Sequence, residues 1–385
     1  MKNSFRATLV ASALVVTLTS VPAFGAGPGV TDQEIVLGQS AVLEGPASAL
    51  GLGMRAGLQA CFSQVNEAGG IGGRKIRLLT KDDGYEPDRA IACARELISQ
   101  ENVLLLIGGV GTPTANVITP ICEEAKVPFV GAFTGAATLR TPFKKYVVNV
   151  RASYGQEMEK LAQYLVDSKK LTRIACFHQN DGYGQAGLSG IQTALKKRNL
   201  ELVATGNYER NTTAVKAALL DVKKGEPQAI VMVGTYKACA EFIKLARKFG
   251  LNDALFCNIS FVGTKALLAE VGEAGEGVVI SQVVPSPYTE DLPVLKEYQA
   301  ALKKHQPAMQ PDWISLEGFL AAKFFCQVAE KTGKELTRES FLATIQKVGT
   351  FDLGGLTLQF GPEDHQGLDA VFLTQIKGGQ VVALP

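Results

Sequence analysis

The chain is poor in the residues that most often carry chemistry. It has three histidines, one tryptophan and only 20% charged residues. His178, His305 and His365 lie far apart in sequence, and no partner that would mark one of them as a general base can be placed beside it. No G-K-[ST] follows a glycine turn, and neither a G-x-S-x-G elbow nor an H-E-x-x-H helix is present. These absences weigh against nucleotide hydrolysis, serine hydrolase chemistry and zinc proteolysis. Past the N-terminus, no apolar run approaches the ~20 residues that a membrane-spanning helix needs. Nor is there an excess of charge of one sign. The 39 basic and 37 acidic residues become 37 of each without Lys2 and Arg6, which argues against nucleic acid or an anionic membrane as partner.

Seven cysteines are present, none of them in a C-x-x-C arrangement. The number is odd, so at least one thiol stays free or pairs between chains. Several sit in runs that read as buried helix or strand, where cysteine more often acts as a small hydrophobe than as half of a bridge. Cys61 with Cys93 makes a poor pair if their helices lie on opposite faces of a sheet, which leaves Cys93 with Cys122 open.

At the N-terminus, Lys2 and Arg6 precede an apolar segment, Ala7 to Ser20, and small residues at Val21-Pro22-Ala23 or Ala23-Phe24-Gly25. This is the pattern of a signal peptide over residues 1–26, cleaved near Ala23 to Ala26, and it predicts export to the periplasm without a lipid anchor. About 360 residues then remain, a length that suggests two domains.

The mature part is organised around Val103 to Asn116, VLLLIGGVGTPTAN. A continuous apolar run reads as a strand covered on both faces and breaks at a glycine turn, after which Thr112-Pro113-Thr114 opens a helix. With Thr112 as N-cap and Pro113 in the first turn, the helix would point free N–H groups and a hydroxyl at the C-terminal edge of a sheet. Open α/β sheets bind ligands there, and an anionic or polar group is the expected guest. A tight turn without any ligand would leave the same trace.

Similar units surround this one. Strands at Glu34–Leu43, Lys75–Asp83 and Pro128–Phe133 alternate with helices, and a second series follows from Tyr146 to Pro285. Such alternation predicts two parallel sheets with helices on both faces. The tail mixes helices near 292–305, 314–331 and 338–347 with strand-rich segments and a Gly378-Gly379 hairpin, so it is expected to be shared between the two units. Gly69 to Gly73 looks like a nucleotide loop but precedes a strand, which is the wrong context. Asp82 and Asp83 either line a cleft or cap the turn that follows them. His178 is either a polar strand end or a base, and the Glu363-Asp364-His365 segment is either a loop or a metal ligand set.

The segments NEAGGIGGRKIRLLTKDDGYEPDRA, IGGVGTPTANVITP, VPFVGAFTGAATLR and HQNDGYGQAG resemble the type I periplasmic solute-binding proteins of ABC importers, in the Leu/Ile/Val-binding group. The resemblance covers nearly all of the mature chain. It implies an α/β fold of two doubly wound parallel-sheet lobes joined by three crossovers, 27–149 plus 286–354 and 150–285 plus 355–385. It also implies a monomer that closes on a small solute and passes it to an ABC permease in the inner membrane, with no cofactor and no catalysis. An exported enzyme on the same architecture, or a sensory ligand-binding module, are the alternatives.

Residue by residue, the resemblance places Thr112, with Gly111 before it, where a serine grips a ligand carboxylate. Phe133, Thr134 and Gly135 fall on the segment that holds an amino acid, and Tyr183 on a pocket tyrosine. Thr235, with Tyr236 beside it, replaces a second tyrosine, and Leu50 and Trp313 match apolar walls. Two departures stand out: Gly135 lacks the hydroxyl of the family's threonine, and Ser260 stands where a glutamate pairs with the ligand ammonium. An unpaired ammonium in a closed, dry cleft would cost several kcal/mol, so these departures weigh against a standard α-amino acid unless Glu44, at the edge of the first strand, or another acid replaces the missing carboxylate. The family's disulfide is expected to be absent, because Gly84, Tyr85 and Gly111 occupy its region.

Overall fold

A computed structural model describes residues 27–384. The signal peptide expectation lies outside the described residues.

The first sheet grows from alternating strands and helices: β1 (Glu34–Ala41), α1 (Ser48–Glu67), β2 (Lys75–Asp82), α2 (Pro87–Ser99), β3 (Leu106–Ile107), α3 (Thr112–Ala125), β4 (Phe129–Val130) and β5 (Val147–Val148). Its order is β2-β1-β3-β4-β5, all parallel. β1 is buried on both faces after Glu34, as a strand between two helical layers must be. β3 and β4 are shorter than their apolar runs suggest. Gly108 and Gly131, at φ +65° and +59°, turn the backbone out of the ladder, which resumes only as the Val110 to Phe133 bridge.

The second sheet follows through α4 (Tyr154–Ala162), which ends in a π-helical stretch, β6 (Ile174–Gln179), α5 (Gly182–Lys196), β7 (Ala204–Tyr208), α6 (Lys216–Lys224), β8 (Ala229–Val233), α7 (Tyr236–Lys248), β9 (Leu255–Asn258), α8 (Thr264–Val271) and β10 (Val279–Gln282). Three helices come next: α9 (Pro293–His305), α10 (Trp313–Thr332) and α11 (Arg338–Val348). A small ribbon, β11 (Thr350–Asp352) with β12 (Thr357–Gln359), precedes the final hairpin, β13 (Phe372–Lys377) and β14 (Gln380–Leu384). The second sheet runs β14-β13-β10-β9-β8-β6-β7 and is parallel except at the hairpin edge, where β13 pairs antiparallel with β10 and β14.

The tail is thus divided between the two lobes. α10 packs along α1, and their backbones meet where side chains are absent. A Cβ on Gly57 would overlap the Ser315 carbonyl, and one on Gly318 the Met54 carbonyl. Phe351 and Phe360 pack on Phe324 of α10, so the ribbon stands with these helices. Three stretches link the lobes: Asn149 to Ser153, Val283 to Leu292, and Gly361 to Val371. The architecture is the expected α/β pair of doubly wound lobes with three crossovers.

All seven cysteines are buried and unpaired, so the Cys93 to Cys122 bridge left open by the sequence does not form. Among the described residues, no helix is long and apolar enough to cross a membrane.

Candidate functional site

The C-terminal ends of the strands in both lobes face one another, and the two lobes are closed. From the first lobe come the turns after β1, β2, β3 and β4; from the second, those after β6, β7, β8 and β9. Arg210 Nη2 donates to Glu86 Oε2 at 2.7 Å, and Asn211 Nδ2 donates to Glu86 Oε1 at 2.7 Å and to the Gly84 carbonyl at 3.1 Å. Gln179 Nε2 donates to the Tyr85 hydroxyl at 3.3 Å, and the Ala49 N–H to the Tyr236 hydroxyl at 3.4 Å.

Thr112 begins α3 but does not cap it. Gly111 is the N-cap, at φ +102°, where a Cβ would strike the Tyr85 ring. The Thr112 hydroxyl instead shares a 2.7 Å hydrogen bond with that of Thr134, both side chains being buried. The Tyr154 hydroxyl lies beside this pair, yet it completes no hydrogen bond of good geometry within the described residues. Three hydroxyls therefore converge at a helix N-terminus, where the helix dipole favours an anion or a carbonyl oxygen. Gly135 is required by the same tyrosine, because a Cβ there would strike the Tyr154 ring. The neighbouring Thr134 keeps a hydroxyl in this segment, bonded to that of Thr112.

An aromatic wall adjoins these hydroxyls. Phe261 stacks on Phe133 with centroids 5.1 Å apart, meets Tyr183 at 4.5 Å and Tyr85 at 6.2 Å, and all four rings are fully buried. Tyr183 also reaches towards the Gly234 carbonyl at 3.5 Å, and the Thr235 N–H donates to the Tyr208 hydroxyl at 3.0 Å. Leu50 and Ile314 abut Gly263 from the first lobe, and Trp313 meets Tyr288 edge-on at 5.3 Å. Of the residues singled out in the sequence, Thr112, Phe133, Thr134, Gly135 and Tyr183 converge on one cluster. Leu50, Tyr236 and Trp313 lie along the interlobe seam.

The structure corrects one expectation about charge and adds to another. Glu44 is exposed in the turn between β1 and α1 and has no hydrogen bond or ion pair with the described residues. Water screens such a carboxylate, so it is no substitute for a buried acid. Ser260 does not simply leave a gap where a glutamate would be. Its N–H and hydroxyl donate to Glu157 at 2.8 and 3.0 Å, Ser281 donates to the same carboxylate at 2.6 Å, and Arg151 Nη2 does so at 2.9 Å. Arg151 also donates to Ser260 Oγ. The guanidinium lies over Phe133 and Tyr154, 5.1 and 5.7 Å from the ring centres.

Glu317 of α10 completes the arrangement. Its Oε2 is 3.5 Å from Arg151 Nη1, and it makes no hydrogen bond within the described residues. Burial pushes its carboxyl up to about 7, against the pull of the Arg151 charge. Arg151, Glu157, Tyr154, Phe261 and Glu317 escaped the sequence reading. Arg151, Tyr154 and Glu157 lie at the first crossover and Phe261 just past a strand end, whereas Glu317 sits inside α10 and carries no such signal.

The ambiguous acids and histidines have local roles. Asp82 Oδ1 accepts the N–H groups of Leu43 and Gly84, and Asp83 accepts from Tyr85 N–H and the Ser40 hydroxyl. His178 Nδ1 sits 3.0 Å from the Gln179 carbonyl at a buried strand end. Gly361 and Asp364 close a turn before His365. Among the described residues, no group of three or more His, Cys, Asp or Glu side chains could hold a metal ion.

A sequence profile of the periplasmic binding protein family matches residues 34–380. Leu/Ile/Val-binding protein homolog 7 of Brucella abortus (strain 2308) is 27% identical over 325 residues, covering 81% of each chain. The crystal structure of a possible leucine/isoleucine/valine-binding protein from Rhodopirellula baltica SH 1 superposes with a TM-score of 0.88 at 35% identity, over 94% of this chain and 98% of that one. A substrate-binding periplasmic protein from Ralstonia solanacearum gives 0.86 at 28% identity, over 91% and 100%. The family places its members in the periplasm and makes them the substrate-binding partners of ABC transporters. This chain is a solute-binding protein rather than an enzyme, and it belongs to the type I periplasmic binding proteins of the branched-chain amino-acid family.

Proposed function

We propose that the chain captures a small, partly apolar solute bearing a carboxylate or amide and delivers it to an inner-membrane ABC permease. The solute sits between a lobe of residues 27–149 plus 286–360 and a lobe of 150–285 plus 361–384, the boundary expected at 354 being moved to 360 because Phe351 and Phe360 of the β11–β12 ribbon pack on Phe324 of α10. The observation that carries this reading is the set of hydroxyls of Thr112, Thr134 and Tyr154 at the start of α3, with the Tyr154 hydroxyl unpartnered beside the aromatic wall of Phe133, Tyr183 and Phe261. Hydroxyls and helix N–H groups hold the polar head, and the rings cover the body.

The relatives named for leucine, isoleucine and valine binding favour an amino-acid-like solute. Glu157 has no capacity left for a ligand ammonium, since four donors already reach it. Glu317 is the remaining acid near Arg151, and it is the candidate partner for an amino group. Solutes without an amino group, such as aromatic or branched carboxylates, need no such partner. Closure follows from contacts of one solute with both lobes.

A thermal-shift screen of branched and aromatic amino acids, their deaminated acids and their amides tests the reading. A rise in melting temperature that follows ligand concentration supports it. No stabilisation by any of these classes at ~10 mM would overturn it.

A further inference from the structure

The seam between α1 and α10, away from the solute cleft, holds two cysteines. The helices run side by side in the same direction, and their contacts advance together. Gly53 lies on Ile314, Gly57 on Ser315 and Phe319, and Phe62 on Phe325 with ring centroids 5.9 Å apart. Cys61 stands one turn after Gly57 on the same face of α1, and Cys326 stands two turns after Phe319 on the same face of α10. Both side chains therefore point into the seam. They are 2% and 4% exposed, and their thiols meet there; burial and the Cys61 thiol push the Cys326 thiol well above its ordinary range.

Cys176 and Cys257 provide the contrast. Both pair in register with Val231, from opposite sides of β8, so two strand spacings of ~4.8 Å separate their backbones. That is beyond the ~7 Å over which a disulfide can join two Cα atoms. α1 and α10 are in backbone contact one turn before Cys61, where a Cβ on Gly57 would overlap the Ser315 carbonyl. The family is periplasmic, and the periplasm is a compartment in which disulfides form and persist.

We propose that Cys61 and Cys326, which the structure shows as free thiols, form a disulfide in the exported chain and staple α1 to α10. The oxidant is the disulfide of a thiol–disulfide exchange partner, R–S–S–R. One cysteine thiolate attacks it and releases R–SH; the second then attacks the mixed disulfide and releases another R–SH. The two cysteines give up two electrons and two protons, and the partner's disulfide becomes two thiols. Because both sulfurs are buried once the helices dock, the exchange belongs to folding and not to the finished protein. The bridge closes a loop that contains residues 150–285, the bulk of the second lobe. It fastens the returning chain to the first lobe, so that lobe opening cannot lift α10 from α1.

The test compares the mature chain recovered from the periplasm of a bacterial host with the same chain, starting at residue 27, made in the cytoplasm. Both are harvested in acid without reductant, unfolded and alkylated, and intact mass counts the thiols. The exported chain should have five of its seven cysteines alkylated, and digestion should yield the Cys61 peptide joined to the Cys326 peptide. The cytoplasmic chain should have all seven alkylated. In exported Cys61→Ala or Cys326→Ala, every remaining cysteine should be alkylated. The exported wild type should also melt ~5 °C above the same protein refolded in dithiothreitol, and this gap should vanish in the double variant. Three outcomes overturn the proposal: seven alkylated cysteines in the exported chain, a bridge that joins any other pair, or a melting gap that persists in the double variant.

Discussion

Arg210 and Glu86 face each other across the mouth of the cleft, one from each lobe, with Nη2 and Oε2 2.7 Å apart. Asn211 reinforces the contact, and Asp181 holds the same guanidinium from within its own lobe at 3.1 Å. The pair forms only when the lobes meet, so it contributes to closure and not to the folding of either lobe. Partly exposed ion pairs contribute ~1 kcal/mol or less. Arg210→Ala should therefore speed solute release by about threefold to fivefold while leaving the melting temperature of the ligand-free protein nearly unchanged. Stopped-flow release at low and high salt checks this. The gap between wild type and variant should narrow as salt screens the pair.

Glu157 is the hub of a second, wholly buried set of contacts. Arg151, Ser260 and Ser281 all bond to its carboxylate, and Arg151 is 2% exposed. Glu157→Gln removes the charge that balances a buried guanidinium and turns one acceptor oxygen into a donor. A loss of ~3–5 kcal/mol in urea unfolding is expected, against ~1 kcal/mol for Ser281→Ala. Ser260→Glu would press a second carboxylate against Glu157. It should destabilise the protein rather than create an ammonium site, and the same unfolding series decides between the two results.

Glu317 gives the stability a pH signature. Burial raises its carboxyl from 4.5 to about 7, with Arg151 opposing. Between those values the folded chain keeps a proton that the unfolded chain has lost, so this group adds stability as pH falls through the window and none above it. Asp83 and Asp312, pushed up by burial to about 6, act in the same direction. His365, held below its ordinary 6.5 by burial, acts oppositely as pH drops past that value. Comparison of wild type with Glu317→Gln isolates the first contribution. Unfolding free energies at pH 8 and pH 5.5 should converge in the variant relative to the wild type, and an unchanged difference would remove Glu317 as the titrating group.

The order of strands and helices was readable because each burial pattern is local. The apolar run before Gly108 or the Gly378-Gly379 turn needs no distant residue to be understood. Strand lengths were less readable, since Gly131 ends β4 through a backbone angle that composition does not reveal. In the candidate site, Thr112 can be singled out because it follows an apolar run and a glycine turn, whereas Phe133 and Tyr183 are singled out only through the family resemblance. The Arg151, Glu157, Ser260 and Ser281 set could not be read in either way. Its members come from a crossover, a helix start and the ends of two strands, and only the closed fold brings them together. Gly135 is a similar case: a glycine there makes sense only once Tyr154 is seen to fill the space of a Cβ.

Phe261 is the residue through which the cleft should be most easily reshaped. Its ring fills the space between Phe133, Tyr183 and Tyr85, so any solute on the Thr112 hydroxyl must pack against it or displace it. Phe261→Ala leaves a void whose cost in the closed, ligand-free state is ~3–5 kcal/mol. That cost is recovered only by a guest large enough to fill the void. Affinity for a short branched carboxylate should fall, whereas that for a bulkier aromatic carboxylate should hold or rise. Thr112→Val provides the contrast, because it removes a donor to the polar head and leaves the wall intact. It should weaken both solutes alike, by ~1–3 kcal/mol. Titration calorimetry of the two acids against both variants separates these effects. Equal losses for both acids in Phe261→Ala would mean that the ring supports the fold without shaping the solute site.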